Sequence, residues 1–439
     1  MAKLKVDFGR KKGSIKPVHG VGQPPFYGTD FGMLHYLTEA GIPFSRLHDV
    51  DGFLGGGRYV DIPNLFRDFD ADPENPESYD FAFTDLLISE LVKSGTEPFF
   101  RLGVSIENDC LLRAYRIHPP KDYLKWAKIC EGVIRHYTEG WADGFHYKIR
   151  YWEIWNEPDN YEDIMENQMW RGTKEEYYEL YGVASRYLKE RFPHFKIGGY
   201  ASCGFYAAKD SGKAVKAANS SGRTEYFLEF FEGFLAYVKA NRCPLDFFSW
   251  HTYDDVPATL FYAEYARRRL DEAGFPETEH ICNEWNCEVN QRGTARHAAV
   301  TAAMLLGMQD SSLDSAMFYD ARFGVGTYSG LFNPLTAQPF PAYYAFKGFH
   351  QLYLLGSQVA VDCDMENVYG AAALGEERGC IMVSNISGED VPLVLEMGDY
   401  GVTGCKVTDQ ERTWEECPLP GVLSKDMVLC ITVAPWRRA

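Results

Sequence analysis

Several features are missing from this 439-residue sequence, and each absence removes a class of protein. No apolar run approaches the roughly twenty residues that a bilayer demands, and the longest, around 298–308, is interrupted. Behind the basic residues of MAKLKVDFGRKKG no apolar stretch follows, so no secretory signal is expected and a soluble, cytoplasmic protein is. Positive charge is scarce: 44 Lys and Arg face 62 Asp and Glu, a formal net charge of −18. Such a field repels phosphate backbones and anionic surfaces, which excludes nucleic acid and membrane as expected partners and favours a neutral one. The eleven cysteines are scattered without CxxC spacing and read as reduced thiols. HEXXH is absent, and the Gly-rich GFLGGGRY at 52–59 lacks the Lys-Ser/Thr ending of a phosphate loop. No cofactor and no metal are expected.

What is present is alternation. From about residue 30 to 350, short β-branched or aromatic runs trade places with amphipathic stretches, the pattern of parallel strands joined by crossover helices. Eight strands are expected, at 44–49, 59–65, 97–104, 149–156, 195–201, 245–253, 280–286 and 315–321. Tyr123, Trp126, Cys130, Val133, Ile134 and Tyr137 share one helical face. Thr173 and Glu176 have capping-box spacing ahead of a second helix, and Phe227, Phe230, Phe231, Phe234 and Val238 mark a third. The fold class is therefore α/β, a (β/α)8 TIM barrel over 21–353, with GFLGGGRY as a loop over its mouth. After 353 the texture turns to short strands split by Gly, Asn, Asp and Pro, read as an accessory β-sandwich over 354–439, with residues 1–20 adding an N-terminal strand.

In such a barrel, functional groups gather where strands end. The fourth expected strand runs YWEIWNEPDN and delivers Glu157; the seventh runs HICNEWN and delivers Glu284. Either glutamate alone reads as well as a salt-bridged surface residue. Together, at the same rim and from opposite sides of the ring, they supply what glycosidic cleavage needs: a proton donor and a carboxylate to trap the oxocarbenium-like centre. A gap of roughly 5 Å between them gives retention through a covalent intermediate, whereas a wider one admits water and inverts. The charge of Glu284 is expected to raise the pKa of Glu157 and keep it protonated.

WEIWNEPD, EWN, the strand-six SWHTY and the earlier RLHD resemble the clan A glycoside hydrolases, and most closely family 39, which includes β-xylosidases and α-L-iduronidases. The resemblance covers nearly the whole chain. It implies a retaining, exo-acting, β-xylosidase-like enzyme, with Glu157 as acid/base, Glu284 as nucleophile and Asn156 on the hydroxyl beside the anomeric carbon. Alternatives are a carbohydrate-binding pseudoenzyme, a transglycosylase, and a glycosidase for arabinosides, galactosides, glucosides or iduronides. By position, Tyr253 is expected to donate to Glu284, and Arg46, on strand one, to neutralise it. His48 and His251 are read as sugar contacts, and Trp155, Trp250 and Trp285 as stacking platforms for an oligosaccharide or small glycoside, although each tryptophan taken alone reads more readily as core and not all three need touch sugar. Asp320 and Arg322 are read as a pair. A homo-oligomer is left open.

Overall fold

In the computed structural model, which describes residues 2–28, 32–50, 59–105, 117–209 and 222–436, eight parallel strands pair in chain order and close a barrel. A leading strand, β1 (Ala2–Ser14), lies outside it. The barrel strands are β2 (Gly20–Gly22), β3 (Phe44–Leu47), β4 (Glu97–Leu102), β5 (Tyr151–Ile154), β6 (Lys196–Ser202), β7 (Phe247–Thr252), β8 (Glu279–Trp285) and β9 (Ser315–Phe318). Six of the eight segments expected from sequence, those from 97 onward, are barrel strands three to eight.

The first two positions differ. Segment 59–65 is no strand: Ile62–Leu65 forms a helical turn, because Pro63 has no N–H to give a ladder and Asp61 is tied to the end of β4. Arg101 Nη2 donates to Asp61 Oδ1 at 2.5 Å, and the Ser105 amide donates to Oδ2 at 2.9 Å. The place is taken by β2, whose three residues, two of them glycine, have no apolar periodicity to reveal them. Arg46 is consequently on the second barrel strand, not the first. The GFLGGGRY loop lies outside the described residues except for its last position, Tyr59.

Period-two alternation stacks the barrel interior in layers. Phe44, Phe99, Tyr151, Phe247, Ile281 and Met317 form the apolar floor. Two residues further along the same strands come Arg46, Arg101, Glu153, Ser249 and Asn283, all fully or almost fully buried. That second layer survives burial because it is internally bonded. Arg46 pairs with Glu153, whose Oε1 also accepts from Ser249 Oγ at 2.6 Å and Asn283 Nδ2 at 2.5 Å. The third layer opens to solvent.

The helices pack where their stripes direct them. Tyr123–Thr138 buries Trp126, Cys130, Val133, Ile134 and Tyr137, and Lys174–Arg191 starts at a complete capping box between Thr173 and Glu176. Arg223–Ala240 buries its phenylalanines.

Beyond the barrel lie β10 (Ser357–Cys363), β11 (Val368–Leu374), β12 (Gly379–Asn385), β13 (Val391–Glu396), β14 (Tyr400–Thr408), β15 (Glu415–Glu416), β16 (Val422–Leu423) and β17 (Val428–Pro435). They join β1 in one curled mixed sheet ordered β15-β14-β17-β12-β11-β10-β1-β13-β16. β1 runs antiparallel to β10 and parallel to β13, placing Leu4 opposite both Cys363 and Leu395. One face of the sheet encloses its own core of Leu4, Val6, Val359, Ile381, Val407 and Leu429. The other, with Met382 and Cys430, merges into the barrel's core. Ser384 Oγ donates to the Ala299 carbonyl at 2.7 Å and Arg296 reaches Asp426 at 3.2 Å, so polar contacts also cross the seam.

Candidate active site

The ends of β5 and β8 depart from regular pleating, and that departure creates the site. After Ile154, Trp155 (φ 75°) and Glu157 (φ 45°) take left-handed backbone conformations that residues with side chains adopt at some energetic cost. They are held there by Trp155 N–H donating to the Leu102 carbonyl at 2.8 Å and Glu157 N–H to that of Ala201 at 3.0 Å. In β8 the pairing register slips against both neighbours, placing Glu284 beside His251. Both irregularities break the alternation, so Asn156, Glu157 and Glu284 line a cavity of about 500 Å³ while the tryptophans turn away.

A carboxylate oxygen of Glu157, a ring nitrogen of His251 and a carboxylate oxygen of Glu284 lie within 4.8 Å of one another. Arg46 supports the Glu284 side: Nη1 donates to Glu284 Oε1 at 2.6 Å, Nη2 to Asn156 Oδ1 at 2.6 Å and Nε to Glu153 Oε2 at 2.8 Å. Burial opposes the Arg46 charge, but Glu153 and Glu284 overcome it and raise its pKa. Tyr253 Oη donates to Glu284 Oε2 at 2.7 Å. His48 Nε2 stands 4.0 Å from Glu284 Oε1 and 3.4 Å from Asp49 Oδ2.

On the other carboxylate, His251 Nδ1 lies 2.7 Å from Glu157 Oε1, and Asn160 Nδ2 donates to Oε2 at 3.0 Å. Burial pushes the Glu157 carboxyl up, yet its hydrogen bond and attraction to His251, with help from Arg223, hold it below the usual range. His251 is raised in turn: burial opposes its charge, and the two glutamates outweigh that. The expectation that the charge of Glu284 raises the Glu157 pKa is thus corrected: the net shift is downward and is set chiefly by His251. Both directions favour a Glu157 carboxylate facing a charged His251 imidazole.

Beneath this pair, Asp159 accepts from Ser202 Oγ at 2.7 Å and the Cys203 amide at 3.1 Å, and burial pushes its carboxyl up to about 7.

Of the residues singled out in the sequence, Glu157, Glu284, Asn156, His48 and Tyr253 line the cavity, and Arg46 lies directly beneath. His251 is fully buried and bridges the glutamates instead of facing the cavity. The three tryptophans do not belong to the cavity lining. Trp155 is buried against Trp126 and Trp170 with its indole N–H on the Met169 carbonyl. Trp250 packs on Phe205 and donates to His280 Nε2, and Trp285 packs on Phe318 and Phe346. Each follows or precedes an inward residue and so points to the helices. Arg322 lines the cavity and lies 3.7 Å from buried Asp320, whose carboxyl burial pushes up to about 7.

Sequence reasoning overlooked Glu153, although its place two residues after the floor's Tyr151 marks it as inward. It also missed Asp49, Arg223, Tyr319 and Tyr328 on the cavity wall. Asn160 was legible as the last residue of NEPDN, Asp49 as the last of RLHD and Tyr319 near the end of the eighth expected strand; Arg223 and Tyr328 carry no local signal.

One group of metal-ligand types lies close enough for an ion among the described residues, namely Glu157, His251 and Glu284. Their donor atoms are already committed to one another, to Arg46 and to Tyr253. The arrangement suits proton transfer and charge stabilisation.

Two facing carboxylates at the C-terminal ends of barrel strands four and seven are the arrangement that glycoside cleavage requires. The profile described as "Glycosyl hydrolases family 39" matches residues 55–279, just over half of the chain, and the chain belongs to that family. It is 24% identical over 341 residues to a β-xylosidase of Geobacillus stearothermophilus, an alignment covering 68% of this chain and 61% of the relative. The chain thus spans less than two thirds of that relative's length. With a β-xylosidase of Caldicellulosiruptor saccharolyticus it shares 23% identity, covering 97% of this chain and 90% of the other. Among solved structures, a glucosidase from Croceicoccus marinus superposes with TM-score 0.77 at 23% identity, covering 99% of both chains. A monomeric β-xylosidase from Caulobacter crescentus gives 0.66 at 15%, also covering 99% of both. At these identities the structural likenesses establish the fold alone. Among the described residues, no helix is long and apolar enough to cross a membrane.

Proposed function

We propose that this protein is a retaining, exo-acting glycosidase of β-xylosidase type, working by double displacement. The observation that carries the reading is the approach of Glu157 and Glu284 to within 4.8 Å, near the separation of a nucleophilic pair and short of the roughly 6.5 Å and more that an inverting enzyme needs for its water. The β-xylosidase relatives support the sugar class.

In the first step, a Glu284 oxygen bonds to the anomeric carbon as the glycosidic C–O bond breaks, and the proton of the Glu157–His251 pair passes through Glu157 to the leaving oxygen. Arg46 and Tyr253 hold the Glu284 carboxylate in place with hydrogen bonds to different oxygens. Asn156, whose carbonyl oxygen is engaged by Arg46, keeps its amide nitrogen for the neighbouring sugar hydroxyl, and His48 meets another. In the second step water attacks the anomeric carbon, its proton goes to Glu157, and the ester to Glu284 breaks.

The test is a panel of aryl xylosides, arabinosides, galactosides, glucosides and iduronides, with Glu284→Gln as control. Turnover of the xyloside, abolished in Glu284→Gln, is expected. Ligand binding without turnover of any member would instead identify a carbohydrate-binding pseudoenzyme.

A further inference from the structure

Three arginines border the cavity or lie beneath it, and two have anionic partners within the protein. Arg46 is bound to Glu153 and Glu284, and Arg322 lies 3.7 Å from Asp320. Arg223, on the cavity wall, differs. Its Nε donates to the Asn160 carbonyl at 2.8 Å, and its guanidinium lies over the Tyr161 ring at 4.1 Å and the Phe227 ring at 5.5 Å. Among the described residues, neither terminal nitrogen has an acceptor and no carboxylate forms an ion pair with it. The group is therefore fixed by one hydrogen bond and two aromatic faces, with its fork of donors unspent.

Its side of the cavity is set by the same contacts. Asn160, which holds Arg223 through its carbonyl, holds Glu157 Oε2 through its amide. His48, Tyr253 and Arg46 serve the Glu284 side. Where a nucleophile approaches the anomeric carbon from one direction and an acid protonates the departing oxygen, groups beyond the acid meet the leaving group.

We propose that Arg223 binds an anionic group, a carboxylate in the first instance, on the leaving-group side of the substrate. This deepens the glycosidase reading and rests on it. The net charge of −18 does not oppose it, since at physiological ionic strength charges beyond roughly 8 Å are screened. A planar guanidinium already oriented by Tyr161 and Phe227 loses little freedom when it forms paired bonds to a planar anion.

The test compares 4-carboxyphenyl with 4-(methoxycarbonyl)phenyl glycosides of the sugar that the panel identifies. The readout is the ratio of the two kcat/KM values in the wild type, Arg223→Gln, Arg223→Lys and Arg223→Glu. Because Arg223 also helps hold the Glu157 carboxyl low, the ratio is used: changes in acid strength affect both substrates and largely cancel. The wild-type ratio is expected to exceed that of Arg223→Gln by about tenfold or more, chiefly through KM. Arg223→Lys should retain part of the preference, Arg223→Glu should lower the ratio further, and added salt should weaken the wild-type preference. Equal ratios in all four proteins, with both glycosides turned over, would overturn the anion site and leave the glycosidase standing. No turnover of either glycoside on any sugar would bring down both.

Discussion

His251 Nδ1 and Glu157 Oε1 lie 2.7 Å apart inside the barrel, and His251 Nδ1 is also 3.5 Å from Glu284 Oε2. The imidazole thus touches both carboxylates of the proposed catalytic pair, without any exposure of its own.

This pairing makes a statement about pH. Because the glutamates raise the His251 pKa, its proton is retained below that raised value and lost as pH climbs through it. The alkaline limb of kcat/KM should therefore lie above about 6.5, the ordinary histidine value. In His251→Asn, burial is left less opposed at Glu157, so the limb should move to that of a single raised carboxyl, and kcat/KM for poor leaving groups should fall about tenfold or more. A pH–rate profile unchanged by His251→Asn would refute the role.

Arg46 makes a sharper demand on structure. Replacing it with Met leaves Glu153 buried opposite Glu284 with no cation between them, a loss that removal of one buried partner puts at about 3–5 kcal/mol. Arg46→Met is expected to melt well below the wild type. Arg46→Lys, which keeps the charge but not the fork, should retain more stability while losing about a hundredfold in kcat/KM, because Asn156 and Glu284 cannot both be held. Calorimetry and kinetics on the two variants check this.

The barrel was legible from the sequence because β4 through β9 carry apolar runs that no other element explains, and the two glutamates because they end two of those runs. Less was readable where the chain breaks its own alternation. Counting every second residue from Tyr151 would turn Trp155 inward; the left-handed backbone at Trp155 and Glu157 reverses that, and the slip in β8 does the same for Trp285. His251 was placed correctly on the strand but read as a sugar contact, since nothing local to SWHTY says that Glu157 reaches across to it. β2 was invisible because three residues carry no period.

The tryptophans supply a third expectation. Trp250 donates to His280 Nε2 at 2.7 Å in a fully buried contact, so Trp250→Phe removes a partner that no water can replace. A loss of about 1–3 kcal/mol in unfolding free energy is expected, with KM for aryl glycosides unchanged within twofold. A raised KM at unaltered stability would return Trp250 to the cavity.

The central claim is that Glu284 attacks the anomeric carbon and Glu157 supplies and recovers the proton. Its most direct measurement is the anomeric configuration of the first sugar released from an aryl glycoside, followed by proton NMR before mutarotation. The account predicts the configuration of the substrate; the opposite anomer as first product would contradict it.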